Sequence, residues 1–153
     1  MRWMALDHGT KRIGVAFCDE LEILASPFDV FDNTGDPALR RLVRLAREEG
    51  AKGLLLGLPR HKDGAESATA PLARAFGEAL AAGTGLPLRF VDEHLTSAEA
   101  ERLLAARGVK RSERKARLDA AAAAVILEGF LAERRAARIP ASDPGPGISA
   151  GPS

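Results

Sequence analysis

The chain has 153 residues, with 22 Lys and Arg against 21 Asp and Glu, 46% hydrophobic residues and one cysteine, which fits a single domain with enough apolar material for a core. A lone Cys18 excludes an internal disulfide and a multi-thiolate zinc site, so the cytoplasm is the expected setting. No apolar run nears the roughly 18 residues of a membrane span, and the segment MRWMALDHGT reaches an acid too soon for a signal peptide, so no membrane association is expected.

In chain order, Arg2 to Leu6 and Ile13 to Cys18 are short apolar runs joined by a glycine-containing turn, which predicts a hairpin. A weaker strand is expected over 26–31. Asp36 as N-cap before Pro37 predicts a helix that places Leu39, Leu42, Val43 and Ala46 on one face and stops at Gly50. Gly53 to Leu58 reads as a strand buried on both faces and closed by Pro59. A helix ending near Leu80 follows, with Leu72, Phe76, Ala79 and Leu80 as its stripe, then a strand over Leu88 to Val91. Thr96 with Glu99 predicts a capping box for a helix towards Arg107. The last helix follows Ser112, with Leu118, Ala122, Val125, Ile126 and Phe130 on its apolar side.

The resulting order, βββαβαβα with an extra helix, implies an α/β sandwich with a mixed five-stranded sheet, the order of the ribonuclease H-like fold. Residues 139–153 hold four prolines, three glycines and one charge, so the expected organisation is a folded domain over 1–138 and a disordered tail over 139–153.

The near-neutral total conceals an uneven distribution. Arg107, Lys110, Arg111, Arg114, Lys115 and Arg117 crowd one window against Glu113, whereas the rest of the first 138 residues carries 16 basic and 19 acidic groups. Such a segment is either a solvated helix flank or a phosphate-contacting patch. The turn after the first strand adds Lys11 and Arg12 beside an acid, with Gly9 supplying positive φ or room for close approach of a ligand.

Three acidic positions interrupt apolar surroundings: Asp7 after the first strand, Asp92 and Glu93 after the last, and Asp119 early in the final helix. Sites in open α/β sheets form outside the carboxyl ends of strands, and the final helix can add its acid there. Each also has a bland reading: Asp7 opening a turn, Asp92 or Glu93 preceding a helix cap, Asp119 paired with Arg114, Lys115 or Arg117. Gathered carboxylates are ordinarily reconciled by a hard divalent cation such as Mg²⁺ or Mn²⁺, and a pair of such ions supports in-line displacement at a phosphodiester. The acid, Gly9 and Thr10 also resemble the phosphate loop of actin-like and sugar-kinase ATPases, but those enzymes need a second domain that this length does not supply.

Four blocks, LDHGTKRIGVAFCDE, LLLGLPRHKDG, VDEHLTSAEAERLL and LDAAAAAVILEGFL, occur in this order within about residues 4–131. Together they resemble the YqgF/RuvX family of pre-16S rRNA nucleases, relatives of the RuvC Holliday-junction resolvases. The resemblance implies a ribonuclease H-like fold, with the first-strand acid at Asp7, the acid of the D-E-R-L-T/S motif at Glu93 with Asp92 adjacent, and the last-helix acid at Asp119. His94 stands where the motif has arginine and is a weaker cation near neutral pH. We read His94, and His61 in the loop Pro59 to Gly64, as surface residues.

The combined expectation is a metal-dependent phosphodiesterase in which Asp7, Glu93 and Asp119 hold Mg²⁺ or Mn²⁺, with Asp92 as the substitute for Glu93. Lys11, Arg12, Lys110, Arg111, Arg114 and Lys115 would contact phosphates. By resemblance the substrate is pre-rRNA, at the 5′ end of 16S rRNA, with structured DNA such as a Holliday junction as the alternative. The expected assembly is a monomer or homodimer. A non-catalytic nucleic-acid-binding module in transcription or ribosome assembly is the competing class, opposed by the acidic set, which a pure polyanion binder does not need.

Overall fold

The computed structural model describes residues 1–59, 68–93 and 97–138; of Glu93, Ser97 and Ala98 only the backbone is included. His61, His94, Thr96 with its capping box, and the tail over 139–153 lie outside the described residues. The elements are β1 (Trp3–His8), β2 (Arg12–Cys18), β3 (Ala25–Asp32), α1 (Asp36–Glu48), β4 (Gly53–Pro59), α2 (Ala70–Thr84), β5 (Leu88–Glu93), α3 (Ser97–Ala106) and α4 (Arg111–Arg138). The sheet order is β3-β2-β1-β4-β5. The first three strands form an antiparallel meander, and β4 and β5 extend the sheet in parallel with β1. This is the mixed five-stranded arrangement expected of the element order.

Strand alternation sorts the core into two layers. Met4, Leu6, Ile13, Val15, Leu54, Leu56 and Leu58 face α1 and α2. Trp3, Ala5, Ala16, Cys18 and Leu55 face α4, which buries Ala123, Ala124, Ile126, Leu127 and Leu131 against them. The run Ala120 to Ala124 lets α4 lie close to the sheet on one side while its other flank packs on Ala100 and Leu104 of α3. No helix among the described residues is long and apolar enough to cross a membrane.

Several boundaries and faces differ from the sequence expectation. The N-cap of α1 is Gly35, not Asp36. Gly35 has φ 79°, a conformation open to glycine, and its amide donates to Asn33 Oδ1, which moves Asp36 into the first turn. In α2 the buried residues are Ala70, Ala73, Gly77 and Leu80, whereas Leu72 is 58% exposed. Small residues take that face because the helix sits close to β4 and β5; a Cβ at Gly77 would stand 3.2 Å from Leu56 and Phe90. Asp7, Asp92 and Glu93 lie within their strands, not after them.

Candidate active site

The site is built around the pairing of Asp7 with Gly14. Asp7 has the same strand parity as Trp3 and Ala5, so it belongs to the α4 face. Above its partner, α4 comes into backbone contact with the sheet: a Cβ on Gly14 would collide with the carbonyl of Asp119 and the amide of Ala120. Glycine in mid-strand therefore admits the helix and sets Asp119 over the Asp7–Gly14 pair. The Asp119 carboxylate is 31% exposed and accepts a 2.9 Å hydrogen bond from Arg12 Nε. That bond raises the Arg12 pKa above its ordinary value. Asp119 thus pairs across to β2 and not with Arg114, Lys115 or Arg117 of its own helix.

The β1–β2 turn is tied by several hydrogen bonds. Gly9 N–H donates to Arg12 O at 2.8 Å, and a Cβ on Gly9 would meet that same oxygen, so the glycine is there for space and not for positive φ. Asn33, just after β3, grips the turn at separate points. Its amide N–H donates to Lys11 O at 2.9 Å, its Nδ2 donates to Gly9 O at 2.9 Å, and Nδ2 also lies 3.3 Å from His8 Nε2. His8 points to the opposite face, with its ring 4.8 Å from that of Phe76, and burial pushes its pKa below the ordinary histidine value. Neither Gly14 nor Asn33 was singled out from sequence. A glycine inside an apolar strand was a readable signal for the first; the second depends on a contact between distant segments.

On the other side of β1, the β4–β5 register sets Asp92 opposite Leu58 and Glu93 opposite Pro59. Asp92 is exposed and shares the parity of Phe90, which packs in the α1/α2 layer. Position 93 shares the parity of Val91, which packs in the α4 layer. Among the described residues, no three His, Cys, Asp or Glu side chains form a group able to hold a metal ion.

The basic segment spans the α3–α4 connection and divides in two. Arg107 donates to Ala25 O, Arg114 Nε donates to Val109 O, and Arg117 lies 3.8 Å from Glu113, so these three have structural partners. Lys110, Arg111 and Lys115 are exposed. Arg111, Lys115 and Asp119 follow one another at four-residue spacing, which aligns them along one face of α4. Lys11 and Arg12 are exposed at the turn.

With this geometry, similarity to known proteins is specific. The family model described as "RuvX: Holliday junction resolvase" matches residues 1–133. The chain belongs to the RuvX family. Its sequence is 43% identical over 143 residues to a protein of Symbiobacterium thermophilum, covering 93% of this chain and 99% of that one. It is 42% identical over 137 residues to a protein of Anaeromyxobacter sp. strain Fw109-5, covering 89% of this chain and all of the other. Both relatives are named "Putative pre-16S rRNA nuclease". Among solved structures, the fowlpox virus Holliday junction resolvase aligns with a TM-score of 0.57 at 13% identity, covering 87% of this chain and 99% of that one. That likeness places the RuvX chain in the ribonuclease H-like fold. RuvX membership makes this protein a nuclease, a hydrolase of phosphodiester bonds, and implies dependence on a divalent metal. The donor set suits such an ion, since Asp7 and Asp119 offer hard carboxylate oxygens on one face of the sheet.

Proposed function

We propose that this RuvX protein matures the 5′ end of pre-16S rRNA in the cytoplasm, with Asp7, Glu93 and Asp119 as ligands of Mg²⁺ or Mn²⁺. The observation that supports the reading is the contact at Gly14, which sets the backbone of Asp119 against the strand position paired with Asp7. Glu93 is preferred to Asp92 because position 93 has the parity of the α4 layer. It is separated from Asp7 by β4 alone, about 10 Å across the sheet and two residues further along the strands. A divalent ion held there supplies a water activated near neutral pH and stabilises charge on the displaced oxygen.

The chain's own groups do the rest. Arg12 fixes the Asp119 carboxylate while its remaining guanidinium nitrogens stay available to a phosphate. Lys11, with Lys110, Arg111 and Lys115, holds flanking phosphates, and Arg114 contributes through the nitrogens not bound to Val109. Structured DNA is the second substrate reading, favoured by the family's description as a Holliday junction resolvase. As a monomer the protein suits single-strand cutting; a two-fold homodimer suits symmetric cutting of a junction.

Labelled pre-rRNA, single-stranded DNA and a four-way junction, each incubated with Mg²⁺, Mn²⁺ or chelator, test this directly. Wild type is expected to cut the RNA with either metal and to stop with chelator, and Asp7→Ala, Glu93→Gln and Asp119→Asn are each expected to lose at least a hundredfold in rate, on the order of 3 kcal/mol in the barrier. Cleavage that survives both chelator and Asp7→Ala rules out the mechanism. Preferential cutting of the junction replaces the RNA reading with the DNA one.

A further inference from the structure

On the face opposite Asp119, at the free edge of the sheet, β3 and α1 enclose a cleft of about 260 Å³ lined by Phe28, Asp29, Phe31, Arg41, Arg44 and Glu48, among others. Its distinctive member is Phe28. Val15 pairs with Asp29 and Ala16 with Pro27, so Phe28 is an extra residue of β3, a bulge that turns its side chain out of the ladder. The ring is 44% exposed, yet it is held edge-on against Phe17 with centroids 5.1 Å apart. Beside it the Arg41 guanidinium lies 4.8 Å from the Phe31 ring centroid. Arg44 is exposed and has no carboxylate partner among the described residues.

A bulge with Pro27 and Asp29 also protects an edge strand from pairing with other chains. Edge protection does not require an exposed phenylalanine in a concave surface, however. Two arginines against Asp29 and Glu48 leave the cleft close to neutral, which is unsuited to trapping a bare phosphate. An exposed, fixed aromatic ring flanked by guanidinium groups suits an unpaired nucleotide: the base stacks on the ring, and its phosphate meets arginine. Asp29 and Glu48 supply acceptors for exocyclic amino groups.

The Phe28 ring packs on Phe17, which pairs with Met4, so the cleft lies towards the start of β1 on the face of the sheet opposite Asp119, and a strand that reaches both must pass around the β3 edge.

We propose that the β3–α1 cleft binds an unpaired nucleotide of the substrate strand at a distance from the scissile bond, with Phe28 as stacking platform and Arg44 as phosphate contact. The inference rests on the reading of Asp7, Glu93 and Asp119 as the cutting site.

The test is fluorescence anisotropy in chelator, using single-stranded RNA and blunt duplex of equal length, with wild type, Phe28→Leu, Phe28→Trp and Arg44→Gln. Phe28→Leu should weaken single-strand binding about tenfold at unchanged salt dependence, leave duplex binding unaltered, and be reversed in Phe28→Trp. Arg44→Gln should lower the slope of log affinity against log salt by about one. Thermal unfolding confirms that the variants fold. Wild-type affinity in Phe28→Leu, or equal losses on single strand and duplex, overturns the proposal. Cleavage of a small chromogenic phosphodiester with Mn²⁺ separates the two readings, because Phe28→Leu should match wild type and Asp7→Ala should be inactive. Activity that persists in Asp7→Ala overturns the cutting site, while the binding series still judges the cleft.

Discussion

Gly14 and Gly129 show how one residue type has opposite meanings at two positions. At Gly14 an added methyl meets the backbone of α4, which cannot rotate away as a side chain does; at Gly129 a Cβ meets nothing within 4 Å. Gly14→Ala is therefore expected to cost more than the ~1–3 kcal/mol typical of overpacking and to abolish cleavage by displacing Asp119. Gly129→Ala should stabilise the protein by roughly 0.5–1 kcal/mol, as expected in a helix interior, with cleavage unchanged. Denaturant midpoints and rates for the two variants check both statements. The composition of the turn suggested phosphate contact for Arg12, but its first partner is Asp119. Arg12→Gln should consequently lower kcat as well as weaken binding, whereas a residue that only holds phosphate affects binding alone. Steady-state kinetics on wild type and Arg12→Gln distinguish the cases.

At the scale of elements, α4 joins three tasks that its sequence keeps in separate turns. Arg111 and Lys115 lead along one face to Asp119, the alanine run packs on the sheet, and the last turns reach the far end of the molecule. The charged window was legible from sequence because charge counts need no structure. Its division was not, since Arg107 and Arg114 are occupied by carbonyl groups of Ala25 and Val109. The triple variant Lys110→Gln, Arg111→Gln, Lys115→Gln should weaken nucleic-acid binding and reduce the salt slope by up to about three. Binding measured across a salt series with unchanged slope rejects the patch. The α2 face shows a different limit: helical periodicity selected Leu72, but close approach to β4 and β5 selected Ala73 and Gly77.

At the scale of the whole molecule, Glu22 ties the end remote from the turn at Gly9. It is 3% exposed and sits in the β2–β3 connection at φ 60°. Its carboxylate accepts bonds from the Met1 ammonium at 2.6 Å, Arg134 Nε at 2.7 Å and Arg138 at 2.8 Å, while Arg135 donates to its carbonyl. These cations hold its pKa at about 2, below the ordinary 4.5. A carboxyl whose pKa is lower in the folded state stabilises the fold fully above about pH 4.5, and that contribution is lost as pH falls towards 2. Its size is on the order of 3 kcal/mol. Glu22→Gln should lose that amount at pH 7, and the difference from wild type should shrink between pH 4.5 and 2. Denaturant unfolding at a series of pH values measures it. Nothing in the local sequence marks Glu22, because its partners come from Met1 and the last turns of α4.

The sequence by itself determined the element order and the charged window, and it supplied the three acidic positions as candidates, since these follow from period, composition and motif along the chain. Only the tertiary structure decided which cations of the charged window have partners among the described residues, why Gly14 is glycine, and that position 93, not 92, shares the strand parity of the α4 layer with Asp7. Those outcomes depend on packing distance and strand parity across elements, where a single methyl group or a single-residue step changes the contact.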